Sequence, residues 1–316
     1  MLFSHLLGNS LVKQHLNHAV EKNTLANSLL FAGPSGVGKT LFAKELASAL
    51  LQCPKSIKEH PDLHIYQPEG KSELYKIDTL REMLKEAQKP PFSAPKKVFI
   101  LEEADRMPPV SSNALLKTLE EPEIDSFFIL LTAYPSKILP TIVSRLSVFS
   151  FLPISKEEIE KELIENHQVP LPEAKEAARL SSGSLGKALE IAKQEDFLEL
   201  RNLLLVFLEK TFQSWDEFHE NLELVEQKLL QQKEVHKGVE LFFSYIDLWI
   251  KDLYLMQEKI RKEHLHFPEA FDQPSSIKLP SFFQLESWLE KALISYQRGS
   301  KISTCLEYVF LQLGLL

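Results

Sequence analysis

Apolar residues in this chain follow two rhythms. In the first half, short and nearly continuous apolar runs alternate with stretches whose apolar positions recur every three or four residues. Ser28-Leu29-Leu30-Phe31-Ala32, Lys97-Val98-Phe99-Ile100-Leu101 and Phe127-Phe128-Ile129-Leu130-Leu131 are runs of the first kind, with Val148-Phe149-Ser150-Phe151 as a fourth. Such runs suit strands covered on both faces of a parallel sheet. Leu41 to Leu51, Ile77 to Ala87 and Ser111 to Glu120 carry helical spacing. The second of these lies within a proline-marked stretch from Pro54 to Pro95, and the third is closed by Pro122. The alternation predicts an α/β fold, a parallel sheet layered with helices.

At Leu152-Pro153-Ile154 the texture changes. Ser155-Lys156-Glu157-Glu158 fits the S-x-x-E pattern of a helix capping box, with Ile159 and Leu163 following on one face. Short helices with polar connections are expected from there to about Gln194. Beyond Phe197 the pattern is helical, in segments 197–212, 215–232, 235–263 and 281–315, the last preceded by a loop holding Pro268, Pro274 and Pro280. No strand candidate follows Phe151, and no repeat is visible. The predicted organisation is an α/β domain over 1–152, a small helical domain over 153–196 and an all-helical domain over 197–316.

Composition narrows the class. The chain has 316 residues, 44% hydrophobic and 25% charged, as expected of a globular protein with more than one core. A formal charge of −8 argues against strong autonomous nucleic-acid binding, which shows as a basic surplus. Cys53 and Cys305 are the only cysteines, too few and too far apart for a disulfide framework or a thiolate zinc site. The first residues lack the pattern of a signal peptide, and the apolar stretch from Val239 to Met256 is broken by Glu240, Asp247, Lys251 and Asp252, which excludes a membrane span. A reducing cytoplasm is the expected compartment.

Chemistry concentrates between the first strand and the first helix. Gly33-Pro34-Ser35-Gly36-Val37-Gly38-Lys39-Thr40 spells G-x-x-x-x-G-K-[ST], the phosphate-binding loop. Glycines let backbone N–H groups point inward at phosphate oxygens, and the following helix presents its positive end to the same anion. Lys39 is then expected to reach the outer phosphates and the Thr40 hydroxyl to ligate magnesium. The second apolar run ends in Glu102-Glu103, where a phosphate-loop ATPase keeps one acid for magnesium and the next for the attacking water. Taken alone, two acids after a strand also suit a chain leaving a sheet for solvent.

A family resemblance rests on longer motifs. Glu103-Ala104-Asp105-Arg106-Met107, Asn113 to Pro122 (NALLKTLEEP), Phe128-Ile129-Leu130-Leu131-Thr132, Leu139-Pro140 and Thr141-Ile142-Val143-Ser144-Arg145 together resemble the clamp-loader branch of the AAA+ ATPases. The likeness covers about the first 190 residues; beyond them only the helical layout agrees. It implies an AAA+ phosphate-loop domain, a small helical lid and a helical collar. It further implies ATP or ADP with magnesium as ligand, held by Gly33 to Thr40, Glu102 and Thr132. In that pattern Glu103 matches the catalytic glutamate and Thr132 the first sensor of the γ-phosphate. Arg145 matches the finger that one subunit inserts into its neighbour's ATP site; outside this context it would read as an ordinary surface arginine. The implied partners are motor (tau/gamma-type) and delta subunits in a hetero-pentameric ring, acting on a sliding clamp and primed DNA and independent of membranes.

Departures from the pattern carry equal weight. Glu102 stands where the branch writes aspartate, and Gly186, in Gly183-Ser184-Leu185-Gly186-Lys187, stands where its motor subunits carry a second-sensor arginine. His60-Pro61-Asp62-Leu63, with Glu69-Gly70-Lys71 and Ile77, also sets the chain apart from the motors. These features point to nucleotide binding with weak or absent turnover, in a component of a polymerase assembly that has no polymerase site of its own. An active motor-type ATPase and a stand-alone AAA+ ATPase are the alternatives. The four-cysteine zinc module usual after the first helix is reduced to Cys53, near His60 and His64, so no zinc is expected. The apolar helix around Val239 to Met256 reads first as a core helix, with a collar role implied by the resemblance.

Overall fold

The computed structural model describes residues 2–53, 60–68, 74–120, 125–193, 197–208, 214–232, 235–258, 265–267 and 280–313. Glu69-Gly70-Lys71, Pro122, Pro268, Pro274 and the ends of the predicted helices 197–212 and 235–263 lie outside them. By internal contact the chain divides into two compact units, one of residues 1–168 and 181–188, the other of 169–180 and 189–316. Residues 153–196 are thus shared between the two units.

The first unit is built on five parallel strands, β1 (Ser28–Ala32), β2 (Leu63–Tyr66), β3 (Lys97–Leu101), β4 (Ser126–Thr132) and β5 (Ser147–Ser150), in the order β2-β3-β4-β1-β5. Every residue of β1, β3 and β4 is buried, as their unbroken apolar runs require. Side chains alternate across the sheet. Leu29 and Phe31 face one core with Leu16 of α1 (Ser10–Glu21) and Phe42 and Leu46 of α2 (Lys39–Leu50). Leu30 and Ala32 face another with Leu80 and Met83 of α3 (Ile77–Ala87) and Leu115 and Leu119 of α4 (Pro109–Glu120). The Phe42 ring packs on both Phe3 (5.3 Å) and Phe151 (5.0 Å), fastening the N-terminal segment to the end of β5.

Two elements lacked a legible signal. Among the described residues, strand β2 (Leu63-His64-Ile65-Tyr66) pairs only with β3, and it is half exposed, so its sequence has no apolar run to read. Helix α1 buries only Val12, Leu16 and Asn17 and begins at Asn9 in left-handed backbone without a side-chain cap. Ser155 and Glu158 form the expected capping box at α6 (Lys156–His167), which buries Ile159 and Leu163. The short α5 (Pro140–Val143) links β4 to β5.

The second unit contains α7 (Leu171–Leu180) and the helices from Phe197 onward; α8 (Leu185–Lys193) starts in the first unit. α10 (Trp215–Leu230) buries one stripe, Phe218, Leu222, Val225 and Leu229, leaving its charged face to solvent. α11 (Val235–Gln257) buries residues around most of its circumference, in keeping with a core helix. Its Asp252 is fully buried and accepts N–H bonds from His266 (2.7 Å) and Phe267 (2.7 Å). Phe207 of α9 (Phe197–Leu208) and Phe218 meet Phe310 of α13 (Ile302–Gln312) in an aromatic cluster. The segment predicted as one helix over 281–315 is two, α12 (Phe282–Gln297) and α13, separated at Gly299 with its φ of 99°. No described helix is long and apolar enough to cross a membrane.

Candidate functional site

The phosphate-loop sequence leaves the C-terminal end of β1, the strand between β4 and β5. The next strand in sequence, β2, lies three places away, so the loop opens where connections diverge to both sides. That is the position at which open parallel sheets bind ligands. Gly33 N–H donates to Thr132 O (3.1 Å), tying the loop's start to the end of β4. Pro34, Ser35 and Gly36 are exposed, Val37 is buried, and Thr40 sits half-buried in the first turn of α2. Lys39 folds over the loop, its Nζ donating to Gly33 O (2.6 Å) and Pro34 O (2.7 Å). Burial lowers its pKa to about 8, against an opposing pull from the nearby Asp105 carboxylate. A partly buried ammonium beside a helix N-terminus fits a phosphate group well.

Gly36 and Gly186 explain each other. Gly36 has a φ of 75°, and a Cβ there would lie 1.9 Å from Ser184 Oγ. Ser184 caps α8 by accepting the Lys187 N–H (3.1 Å), and the Gly186 N–H donates to Gly36 O (3.2 Å). A Cβ on Gly186 would stand 3.4 Å from Gly36 Cα. The first turn of α8 therefore rests on the phosphate loop through backbone contacts, at the position where the resemblance gives motor subunits an arginine.

Acids at the end of β3 separate by direction. The Glu102 N–H donates to Tyr66 O (2.9 Å) and its carbonyl accepts from the Tyr75 hydroxyl, so its backbone is held between β2 and the segment before α3. Glu103 occupies left-handed backbone (φ 48°, ψ 49°), and its carboxylate pairs with Arg106 Nε at 2.6 Å. Asp105, in the 3-10 turn that follows, turns back to the sheet. Its Oδ1 accepts from Thr132 Oγ1 (2.5 Å), and Thr132 Oγ1 in turn accepts the Tyr134 N–H (2.9 Å). The structure thus brings together Lys39, Thr132 and Asp105, and directs the Glu103 carboxylate to Arg106. Asp105 was the acid missed from the sequence. Its only signal was being a third carboxylate one short turn beyond the strand end.

Arg145 follows α5. Its Nη1 donates to Thr141 O (2.7 Å) and its Nε lies 3.2 Å from Glu120 Oε2; among described residues it makes no bond to the phosphate loop. Near Cys53 in sequence, His60 Nδ1 accepts the Asp62 N–H (3.1 Å), while His64 stacks on Phe99 at 4.9 Å. The buried Asp62 carboxylate accepts the N–H groups of Phe92, Ser93 and Ala94, a loop-fastening role. No group of three or more His, Cys, Asp or Glu among the described residues is placed to hold a metal.

A five-stranded parallel sheet of this order, with a phosphate loop at the end of its β1 and acids at the end of β3, defines an AAA+ phosphate-loop protein. Residues 8–155 match the family described as DNA polymerase III, delta subunit. The chain is 31% identical over 207 residues to DNA polymerase III subunit delta' of Bacillus subtilis, a match covering 60% of this chain and 61% of that protein. It is 32% identical over 228 residues to subunit gamma/tau of Mycoplasma pneumoniae, covering 66% of this chain and 33% of that one. The chain therefore spans about three fifths and one third of these relatives. A DNA polymerase III gamma subunit-related protein of Thermotoga maritima aligns over 93% of this chain and 96% of its own, with 18% identity and a TM-score of 0.49. Over its first half the chain is similar to clamp-loader proteins.

Proposed function

We propose that this chain is the delta-prime subunit of a bacterial clamp loader. In this reading it takes its place beside motor and delta subunits in a hetero-pentameric ring that opens a sliding clamp and sets it on primed DNA. The observation that carries the reading is the contact of Gly186 with Gly36. Where a motor subunit needs an arginine over the γ-phosphate, this chain rests helix backbone on its own phosphate loop. The direction of the Glu103 carboxylate, towards Arg106, gives independent support for weak turnover.

Gly33 to Thr40 would still hold a nucleotide's phosphates, through loop N–H groups and Lys39, with Thr40 and Glu102 toward magnesium and Thr132 near the terminal phosphate. Bound Mg-ATP would supply a polyanion that orders the loop. Arg145 acts elsewhere. A guanidinium supplied in trans offsets charge developing on phosphate oxygens, a contribution on the order of 10³ in rate or more at the site it serves. The helical second unit would join the ring's collar.

Reconstitution with the motor and delta subunits tests the proposal. Arg145→Ala should lower the assembly's ATPase while leaving assembly intact, and Lys39→Ala should leave most of that ATPase in place. An unchanged rate in Arg145→Ala refutes the finger assignment. A motor-type subunit is the second reading, favoured by the complete loop motif and the gamma/tau relative. It requires the purified chain to turn over ATP in a Lys39-dependent way.

A further inference from the structure

Arg145 is held on two sides. Thr141 O takes one Nη1 hydrogen at 2.7 Å, and the Glu120 carboxylate, on the last turn of α4, faces Nε at 3.2 Å. One residue earlier, Leu119 O accepts from Ser28 Oγ (3.2 Å). The end of α4 is thereby tied to the start of β1, the strand that leads into the phosphate loop. Glu120 is consequently presented from a fixed point of the sheet.

A guanidinium offers five N–H donors in a planar fork. With Nε facing a carboxylate and one Nη1 hydrogen on a carbonyl, the Nη2 side has no partner among the described residues. The side chain is 30% exposed, enough for that edge to meet a ligand from outside the chain. An arginine fixed this way loses less rotamer freedom on docking than a free one.

We propose that Glu120 is a positioning residue for Arg145, holding its Nε edge so that the Nη edge faces the nucleotide of a neighbouring subunit. This rests on the trans-finger reading above. Glu120 is 58% exposed, so its contribution is that of a surface ion pair, modest in size and exerted through geometry.

The test uses the reconstituted loader with wild type, Glu120→Ala, Glu120→Gln, Arg145→Ala and the Glu120→Ala/Arg145→Ala double variant. Glu120→Ala should lower kcat for ATP about two- to fivefold, with KM and affinity for the motor subunits unchanged. Glu120→Gln, which keeps an oxygen acceptor, should recover part of the loss, and Glu120→Ala should add nothing once Arg145 is alanine. If Arg145→Ala lowers kcat but Glu120→Ala leaves it at the wild-type value, or if the two losses multiply, the positioning role is overturned while the finger stands. If Arg145→Ala itself has no effect, the finger reading falls and this proposal with it.

Discussion

Replacing Gly36 with alanine should damage the candidate site through Ser184, a residue 148 positions away, and the size of the damage can be worked from the contact. A φ of 75° costs an L-residue about 1–2 kcal/mol. The new Cβ would also stand 1.9 Å from Ser184 Oγ and 3.2 Å from Ser184 Cβ, an overpacking cost of about 1–3 kcal/mol. Together the expected loss is about 2–5 kcal/mol. Ser184→Ala removes the offending oxygen but also the α8 cap on the Lys187 N–H, at about 1 kcal/mol. The double variant should therefore be more stable than the sum of the two singles by about 1–3 kcal/mol, the clash alone. Urea unfolding followed by far-UV circular dichroism measures all three, since the tryptophans (Trp215, Trp249 and Trp288) lie in the second unit. Amide exchange at Gly186, whose N–H bonds Gly36 O, should accelerate in Gly36→Ala. A Gly36→Ala protein within 0.5 kcal/mol of wild type, or strict additivity in the double variant, would refute the packing argument.

Two further outcomes follow from charge. Lys97 is buried at the start of β3 and pairs with Glu86 at 2.8 Å; Glu86→Gln removes the opposing charge while leaving oxygen acceptors, the residue 86 carbonyl at 3.2 Å among them, and should cost about 1.5–3 kcal/mol in a denaturant titration. Hydrogen bonds from Lys89 and Lys97 hold the Glu86 pKa near 2, below its ordinary 4.5, so its stabilisation is complete above pH 4.5 and fades as pH falls towards 2. Glu86→Gln should flatten that part of the acid profile, and an unchanged profile contradicts the pairing. Lys39, with a pKa of about 8, should take up a proton when phosphate binds near that pH, so Mg-ATP affinity should weaken between pH 8 and 10. Calorimetry in buffers of different ionisation enthalpy reads the uptake directly; a buffer-independent enthalpy counts against it.

Legibility followed the range of the interactions. Strands β1, β3 and β4 were plain because burial on both faces writes an unbroken apolar run into consecutive residues. The phosphate loop was plain for the same reason: its donors come from eight successive positions. Strand β2 escaped because an edge strand needs no such run. Glu103 follows a strand in the place where the phosphate-loop pattern keeps an acid for the attacking water. A left-handed backbone at that residue and the turn at Ala104–Arg106 direct its carboxylate to Arg106 and return Asp105 to Thr132.

The amino-acid sequence by itself determined the α/β rhythm, the phosphate loop, the helical C-terminal half and the family motifs, all carried by neighbours along the chain. Tertiary structure alone decided which acid meets Lys39 and Thr132, that Gly186 lies on Gly36, and that Glu120 holds Arg145. Those contacts join residues 25 to 150 positions apart. Only the packing of strands and helices fixes their separation, and a local pattern holds no record of it.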